Sequence, residues 1–189
     1  MNILVTAGPT REFIDPVRFI SNRSSGKMGY AIARAAVRRG HRVVLVSGPV
    51  SLPSPEGLTL VRVISAADMH SAVDENIADC DALVMAAAVS DWRPDRIHEN
   101  KLKKRLAPAT LKLEPVPDIL LGLAARKGGR IFVGFAAETE RLLDEARDKL
   151  RRKRLDMIVA NDVSRADAGF EVDTNAVTFI PAHGEAQTL

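Results

Sequence analysis

With 189 residues, 46% of them hydrophobic, the chain has the apolar content for one globular domain with a sizeable core. A formal charge of +3 favours anionic ligands but falls well short of a nucleic-acid arm, and aromatic residues at 4% supply no basic stacking face, so no nucleic-acid partner is expected. One cysteine excludes an intramolecular disulfide and a Cys-x-x-Cys metal site, and no signal-peptide pattern or apolar run of membrane length appears, which implies a cytoplasmic protein without a membrane partner.

Residues 2–7 form an apolar, β-rich run and residues 28–39 have helical periodicity, so the segment from Gly8 to Gly29 leaves a strand and enters a helix. That segment is too long and too specifically polar for a plain turn and reads as an active-site loop. Ser24, Ser25 and Gly26 precede a helix N-terminus, whose N–H groups and positive dipole end predict a phosphate cradle. A second strand is predicted over 42–47 and a third over 58–63, separated by turn formers. Ser65, with Asp68 three residues on, predicts a capped helix to about residue 78, and 82–86 a buried fourth strand.

From 88 to 116 this rhythm breaks. A charged, proline-bearing segment surrounds Lys101-Leu-Lys-Lys104, and 110–114 alternates like an exposed strand, which predicts a protruding flap over about 93–116. Pro117 and Asp118 open a helix ending near Gly128-Gly129, followed by a fifth strand over 131–135, an amphipathic helix over 139–154 and a sixth strand over 156–160. The tail reads as a strand over 175–180, a turn at His183-Gly184, and a short run to Leu189 that stops where a partner strand would start. Strands alternating with helices predict a single α/β domain over 1–189, a Rossmann-like parallel sheet flanked by helices.

Such a sheet binds ligands beyond the carboxyl ends of its strands, and here those ends carry the unusual residues. They are the Gly8–Gly29 loop, Ala86-Ala-Ala-Val-Ser-Asp91-Trp-Arg-Pro94, Phe135-Ala-Ala-Glu138, and Asn161-Asp162, and their convergence predicts one pocket. Gly26-Lys27-Met28 fails the Walker A pattern, because Ser21 stands at its first glycine and Met28 at its magnesium-binding hydroxyl. A nicotinamide oxidoreductase is the alternative fold-level reading, but there is no Gly-x-Gly-x-x-Gly, and Val46-Ser47-Gly48 ends strand two without an acidic residue for a ribose.

Singly, Lys101-Leu-Lys-Lys104 is by default a solvated charge run, and Lys149 and Lys153, four apart on one helix face, are by default surface solubility. Cys80 reads as core, the four histidines show no ligand spacing, Trp92 packs the flap, and Phe135 serves the core or offers a face to a base.

Gly8-Pro-Thr10, Ile14-Asp15-Pro16-Val17-Arg18, the Asn22–Gly29 run, Ala86–Pro94, Lys101-Leu-Lys-Lys104, Pro117-Asp-Ile-Leu120, Val133–Thr139 and Asn161-Asp162 together resemble the phosphopantothenoylcysteine synthetase domain of bacterial coenzyme A biosynthesis. The resemblance implies a ligation in two steps. The carboxylate of 4′-phosphopantothenate attacks the α-phosphate of CTP, releasing pyrophosphate, and the amine of cysteine then displaces CMP from the acyl-cytidylate.

It further implies catalytic roles for Asn22, which holds the acyl-nucleotide and so contacts phosphopantothenate, and Lys101, and it places Ala86, Ala87, Asp91, Lys101, Pro117, Asp118, Ile119, Leu120, Phe135, Lys149 and Lys153 in the CTP site. The helix N-terminus adds anion contacts, Ser25 and Gly26 read as holding CTP and Lys27 phosphopantothenate, and Gly8 and Met85 are taken with the CTP site. Asp91 is left between ribose and a magnesium or manganese ion, and Asn22 has the competing role of capping the following helix. Family members are homodimers whose flap reaches the partner's site, and in many bacteria the domain follows a flavin-dependent decarboxylase. Here the chain begins at strand one, so no decarboxylase domain and no flavin are expected. Further strand and a final helix usually follow the 175–180 strand, so the C-terminus is expected to be truncated.

Overall fold

The computed structural model describes residues 1–105, 110–138, 142–162 and 177–189. Strand β1 (Asn2–Ala7) lies at the centre of an eight-stranded sheet, paired in parallel with β4 (Arg42–Ser47) on one side and β6 (Ala82–Met85) on the other. Between β1 and β4 come a small hairpin, β2 (Arg11–Phe13) with β3 (Phe19–Ser21), and helix α1 (Lys27–Arg38). Beyond β4 are β5 (Thr59–Arg62) and helix α2 (Ala66–Asn76). A second hairpin, β7 (Trp92–Pro94) with β8 (Leu113–Pro115), precedes helix α3 (Ile119–Leu123), whose end tightens into a 3₁₀ turn. Then follow β9 (Ile131–Glu138), helix α4 (Leu142–Arg152), β10 (Met157–Asp162), β11 (Val177–Pro181) and β12 (Gln187–Thr188).

The order across the sheet is β12-β11-β10-β9-β6-β1-β4-β5, with β11 and β12 antiparallel to the neighbours they follow. From β5 to β10 this is the doubly wound order, reversing between β1 and β6, and a crevice opens beyond the carboxyl ends of strands at such a reversal. Alternation along β1 sends Leu4 to one face and Val5 and Ala7 to the other. Tyr30, Ala33 and Ala36 of α1 cover the second face, while α2, α3 and α4 cover the first through Met69, Val73, Leu123, Ala146 and Leu150. Ser65 caps α2 with the reciprocal Asp68 bonds that the sequence predicts.

The structure departs from the expected elements in three places. The β2–β3 hairpin was not foreseen, because its three-residue strands flank Asp15-Pro16 and are too short to show a period. In the flap, pairing falls on Leu113–Pro115 rather than on 110–114, with Trp92 opposite Pro115 and Pro94 opposite Leu113; proline is tolerated there because the ribbon has only edges. Strand β9 runs on to Glu138, since β10 continues beside it as far as Asp162. The helix start at Thr139 and the strand start at Asn175 lie outside the described residues.

Close packing of α1 on β1 fixes where the active-site loop ends. A Cβ at Gly29 would lie 2.5 Å from Ala7 Cβ and 2.8 Å from Thr6 O. Gly29→Ala is therefore expected to lower stability by about 1–3 kcal/mol, the usual cost of overpacking, read as a fall in urea midpoint at constant slope. An unchanged midpoint would mean that α1 moves off the sheet at no cost.

Candidate active site

One cleft of about 610 Å³ opens beyond the carboxyl ends of β1, β6, β9 and β10. Its floor is built by loops that extend the β1–β6 pairing past the sheet. Ala88 N–H donates to Gly8 O at 2.9 Å, Thr10 N–H to Ala88 O at 3.3 Å, Ala87 N–H to the buried Thr6 Oγ1 at 3.1 Å, and Ser90 N–H to the buried Thr10 Oγ1 at 3.0 Å. Buried backbone groups are rarely left unpaired, and the two threonines satisfy them where the ladder stops. Thr6 does not stand out in the sequence, its one trace being a hydroxyl among the apolar residues of β1, and Thr10 is marked only as part of the Gly8-Pro-Thr10 motif, with no role assigned.

On one side stands the N-terminus of α1. Gly26 is its N-cap at φ 76°, with no side-chain cap bond and no acidic residue in the first turn; Lys27 N–H reaches Ser25 Oγ at 3.5 Å and Gly26 N–H reaches Ser24 Oγ at 3.4 Å, long contacts that an anion could replace. A Cβ on Gly26 would sit 2.7 Å from Val50 Cγ1 and 3.3 Å from Gly8 Cα, so the left-handed turn is packed as well as conformationally demanding. Ser25, Gly26 and Lys27 line the cleft, whereas Gly8 lies just behind the wall, against Gly26.

Asn22 also lines the cleft, and it does not cap α1. Its Nδ2 donates to Ala88 O at 3.2 Å and Val89 O at 3.1 Å, at the long end of N–H···O distances. The amide thus spans the two loops that form the floor.

Another wall comes from Pro117, Asp118, Ile119, Leu120, Lys149 of α4 and Lys153 just past its end. Surface solubility does not describe Lys153, which is 9% exposed and places Nζ 2.6 Å from Asp118 Oδ2. Burial opposes the charged form of Asp118, but its bonds from Lys153 and from Leu121 N–H, with Lys149 nearby, hold the carboxyl below its usual range. Asp118 is thereby the N-cap of α3 and the partner of a buried ammonium at once. Met85, Ala86, Ala87 and half-buried Phe135 complete the predicted lining, and Asn161 joins it from the end of β10. Ser90, also in the lining, has a buried Oγ with no hydrogen-bond partner among the described residues.

Asp91 lies at the cleft edge, exposed, and its carboxylate makes no hydrogen bond or ion pair among the described residues. Among those residues no group of three His, Cys, Asp or Glu side chains converges as an all-protein metal site. A lone carboxylate fits magnesium instead, which is commonly held by one or two carboxylates together with substrate phosphates.

Lys101 is not in the lining: with Lys103 and Lys104 it stands exposed within the flap, between β7 and β8. Trp92 stands opposite Pro115 in the flap ribbon and is 53% exposed there. Cys80 is buried away from the cleft, and burial pushes its thiol up, consistent with core packing. At the end of β4, Ser47 is buried and bonded to Tyr30 and Gly48, with no carboxylate there for a dinucleotide ribose.

The family model of the DNA/pantothenate metabolism flavoprotein C-terminal domain matches residues 1–189. The chain is 50% identical over 189 residues to the coenzyme A biosynthesis bifunctional protein CoaBC of Bacillus subtilis, covering all of this chain and 47% of that protein, so it spans about half the length of such relatives. It is also similar to the crystal structure of the C-terminal domain of a CoaBC protein, at 45% identity and TM-score 0.84, over 100% of this chain and 85% of that one. The DNA/pantothenate metabolism flavoprotein from Streptococcus pneumoniae superposes with TM-score 0.85 at 26% identity, over 100% of this chain and 92% of that one. Among the described residues no helix is long and apolar enough to cross a membrane.

Proposed function

This chain belongs to the DNA/pantothenate metabolism flavoprotein C-terminal domain family, and on that premise we propose that it is a phosphopantothenate–cysteine ligase, joining 4′-phosphopantothenate to cysteine at the expense of CTP in coenzyme A biosynthesis. The observation that carries the reading is the cleft at the strand reversal, which gathers Asn22, the α1 N-terminus, Asp91, Asp118 and Lys153.

In the first step the substrate carboxylate oxygen bonds to the α-phosphorus of CTP and the bond from that phosphorus to the bridging oxygen breaks, releasing pyrophosphate. The α1 N–H groups and Lys27 hold anionic oxygens at one wall. Asp91 with the triphosphate oxygens would hold magnesium or manganese, which supplies charge neutralisation on the departing pyrophosphate. In the second step the amine of cysteine bonds to the acyl carbon, the acyl–phosphate C–O bond breaks, CMP leaves and the amine gives up a proton. Asn22 is suited to this step: its neutral bonds to Ala88 O and Val89 O are long, whereas a developing oxyanion accepts a hydrogen bond about twice as strong, so donation shifts to the substrate.

Lys101 enters from the partner subunit of a homodimer on this reading. Its own cleft does not contain it, and Ile97, Trp92, Leu111 and Leu113 leave the flap with exposed apolar side chains suited to a second copy. The flavin of the family's description is assigned to a decarboxylase half outside the matched region, and the ligation takes place in the cytoplasm.

Pyrophosphate release measured with phosphopantothenate and each nucleoside triphosphate in turn tests class and nucleotide together. CTP is expected to support release at least about 10-fold faster than ATP, a pyrimidine edge being read by a few fixed polar groups at Ala86 and Ala87 and on the Lys149–Lys153 face. Equal rates with both nucleotides would remove the nucleotide assignment, and no release with any of them the reaction class.

A further inference from the structure

We propose that Asp15 is a positioning residue for the basic segment: from inside the β2–β3 turn its carboxylate grips the backbone at Leu102 and sets where Lys101 and its neighbours are presented. The inference rests on the reading above that Lys101 acts on the triphosphate.

Asp15 is fully buried, yet its oxygens are surrounded by donors. Oδ1 accepts the N–H groups of Val17 and Arg18, both at 2.9 Å, and Oδ2 accepts Arg18 Nε at 2.9 Å and Leu102 N–H at 3.1 Å. The Arg18 guanidinium also donates to Leu102 O at 2.8 Å, so Leu102 is held at both its N–H and its carbonyl. Four residues before Leu102, His98 N–H donates to Ile14 O at 2.9 Å. A buried carboxylate is costly unless paired and hydrogen-bonded, and this one is both; the Arg18 guanidinium keeps it ionised by holding its carboxyl well below the usual range.

A turn by itself needs only the Val17 and Arg18 amides. The bonds to Leu102 and from His98 do something else: they join the hairpin to a segment more than eighty residues away in sequence, where no strand ladder connects them. Lys101 and Lys103 flank Leu102, so fixing that peptide unit fixes the start of both side chains. The same hairpin runs through β3 directly into Asn22, whose neighbour Ser21 is tied by its Oγ to Thr10 O at 2.7 Å. One frame thus carries both the amide of the acyl-transfer step and the root of the basic segment.

Asp15→Asn is nearly isosteric but replaces one acceptor by a donor that faces Arg18 or the Leu102 N–H. Pyrophosphate release by the full-length dimer is expected to fall about 10-fold or more, since small misplacements of a reacting group carry costs of that order. In a Lys101→Gln background the same substitution is expected to cost less than about 2-fold, because a displaced lysine and an absent one are equivalent. Equal losses in both backgrounds would assign Asp15 to fold stability alone and overturn the proposal.

Amide hydrogen exchange supplies a readout independent of activity. Asp15→Asn should speed exchange at Leu102 and His98 and leave β1 and α1 unchanged; unaltered exchange at Leu102 and His98 would also overturn it. If the unsubstituted protein releases no pyrophosphate, the functional reading fails while exchange still decides whether the grip exists. Should Asp15→Asn not fold, Leu102→Pro removes the same N–H from the other side and is expected to give the same loss of release and faster exchange at His98, again with β1 and α1 unchanged.

Discussion

Lys101→Gln is expected to slow pyrophosphate release from CTP by about 10²-fold or more, the scale of losing one donor aimed at charge that develops in the transition state. The triphosphate already carries negative charge in the ground state, but bond breaking at the α-phosphorus concentrates more of it on the leaving pyrophosphate, and a fixed ammonium stabilises that state preferentially. Lys104→Gln should cost less, its distance along the segment placing it further from the Leu102 anchor. Retention of a near-normal rate by Lys101→Gln would return the basic segment to a solvated charge run.

Because Lys101 stands outside the cleft of its own chain, the loss should be recoverable in trans. A mixture of Lys101→Gln and Asn22→Asp proteins, allowed to exchange subunits, is expected to regain release and product formation. In such a hybrid one of the sites combines an intact Asn22 with an intact Lys101 from the partner. No recovery after demonstrated subunit exchange would place Lys101 in its own chain's site.

Asn22→Asp is expected to separate the half-reactions, leaving part of the activation step while cutting amide formation by about 10²–10³-fold. The substitution exchanges two N–H donors for an acceptor-only, negatively charged group where negative charge forms on the acyl oxygen. Acyl-cytidylate should accumulate, visible by mass spectrometry of quenched mixtures of phosphopantothenate, CTP and cysteine. Equal loss of both steps without a trapped intermediate would move Asn22 to substrate binding.

The structure adds a second consequence of that substitution. A carboxylate would face Ala88 O and Val89 O where the amide now donates, so stability should drop as well, by about 0.5–1.5 kcal/mol, the net worth of a typical hydrogen bond, because Ala88 O keeps Thr10 N–H and the site is open to water. Had Asn22 been a helix cap, aspartate would serve nearly as well and no such drop would appear. Intermediate trapping and the unfolding midpoint therefore test two roles of one side chain separately.

What the sequence determined by itself was the local and the periodic. Apolar runs of four to six residues alternating with helical stripes specified the parallel sheet and its helices, because burial of one face or stripe leaves its period in the residues. Ser65 with Asp68 announced a capping box, since both partners lie within three residues, and the small and polar residues after each strand marked the ligand end, since in this class of sheet those ends converge whatever the details of packing.

Only the tertiary structure decided which side chains are engaged, and by what. Lys153, just past the end of α4, looks like its exposed neighbours Arg152 and Arg154 until Asp118, the N-cap of α3, pairs with it where it is buried. Thr6 and Thr10 acquire their work only when the loop after β6 arrives with N–H groups to satisfy. Asp15 is one member of a motif with no role of its own until Leu102 comes within 3.1 Å, and Lys101 reads as part of the site until the cleft of its own chain is seen to lie elsewhere. Each of these depends on a pairing between residues far apart in sequence, and such a pairing leaves no period, cap or spacing in the chain, because it is set by how whole elements pack and not by the conformation of either segment alone.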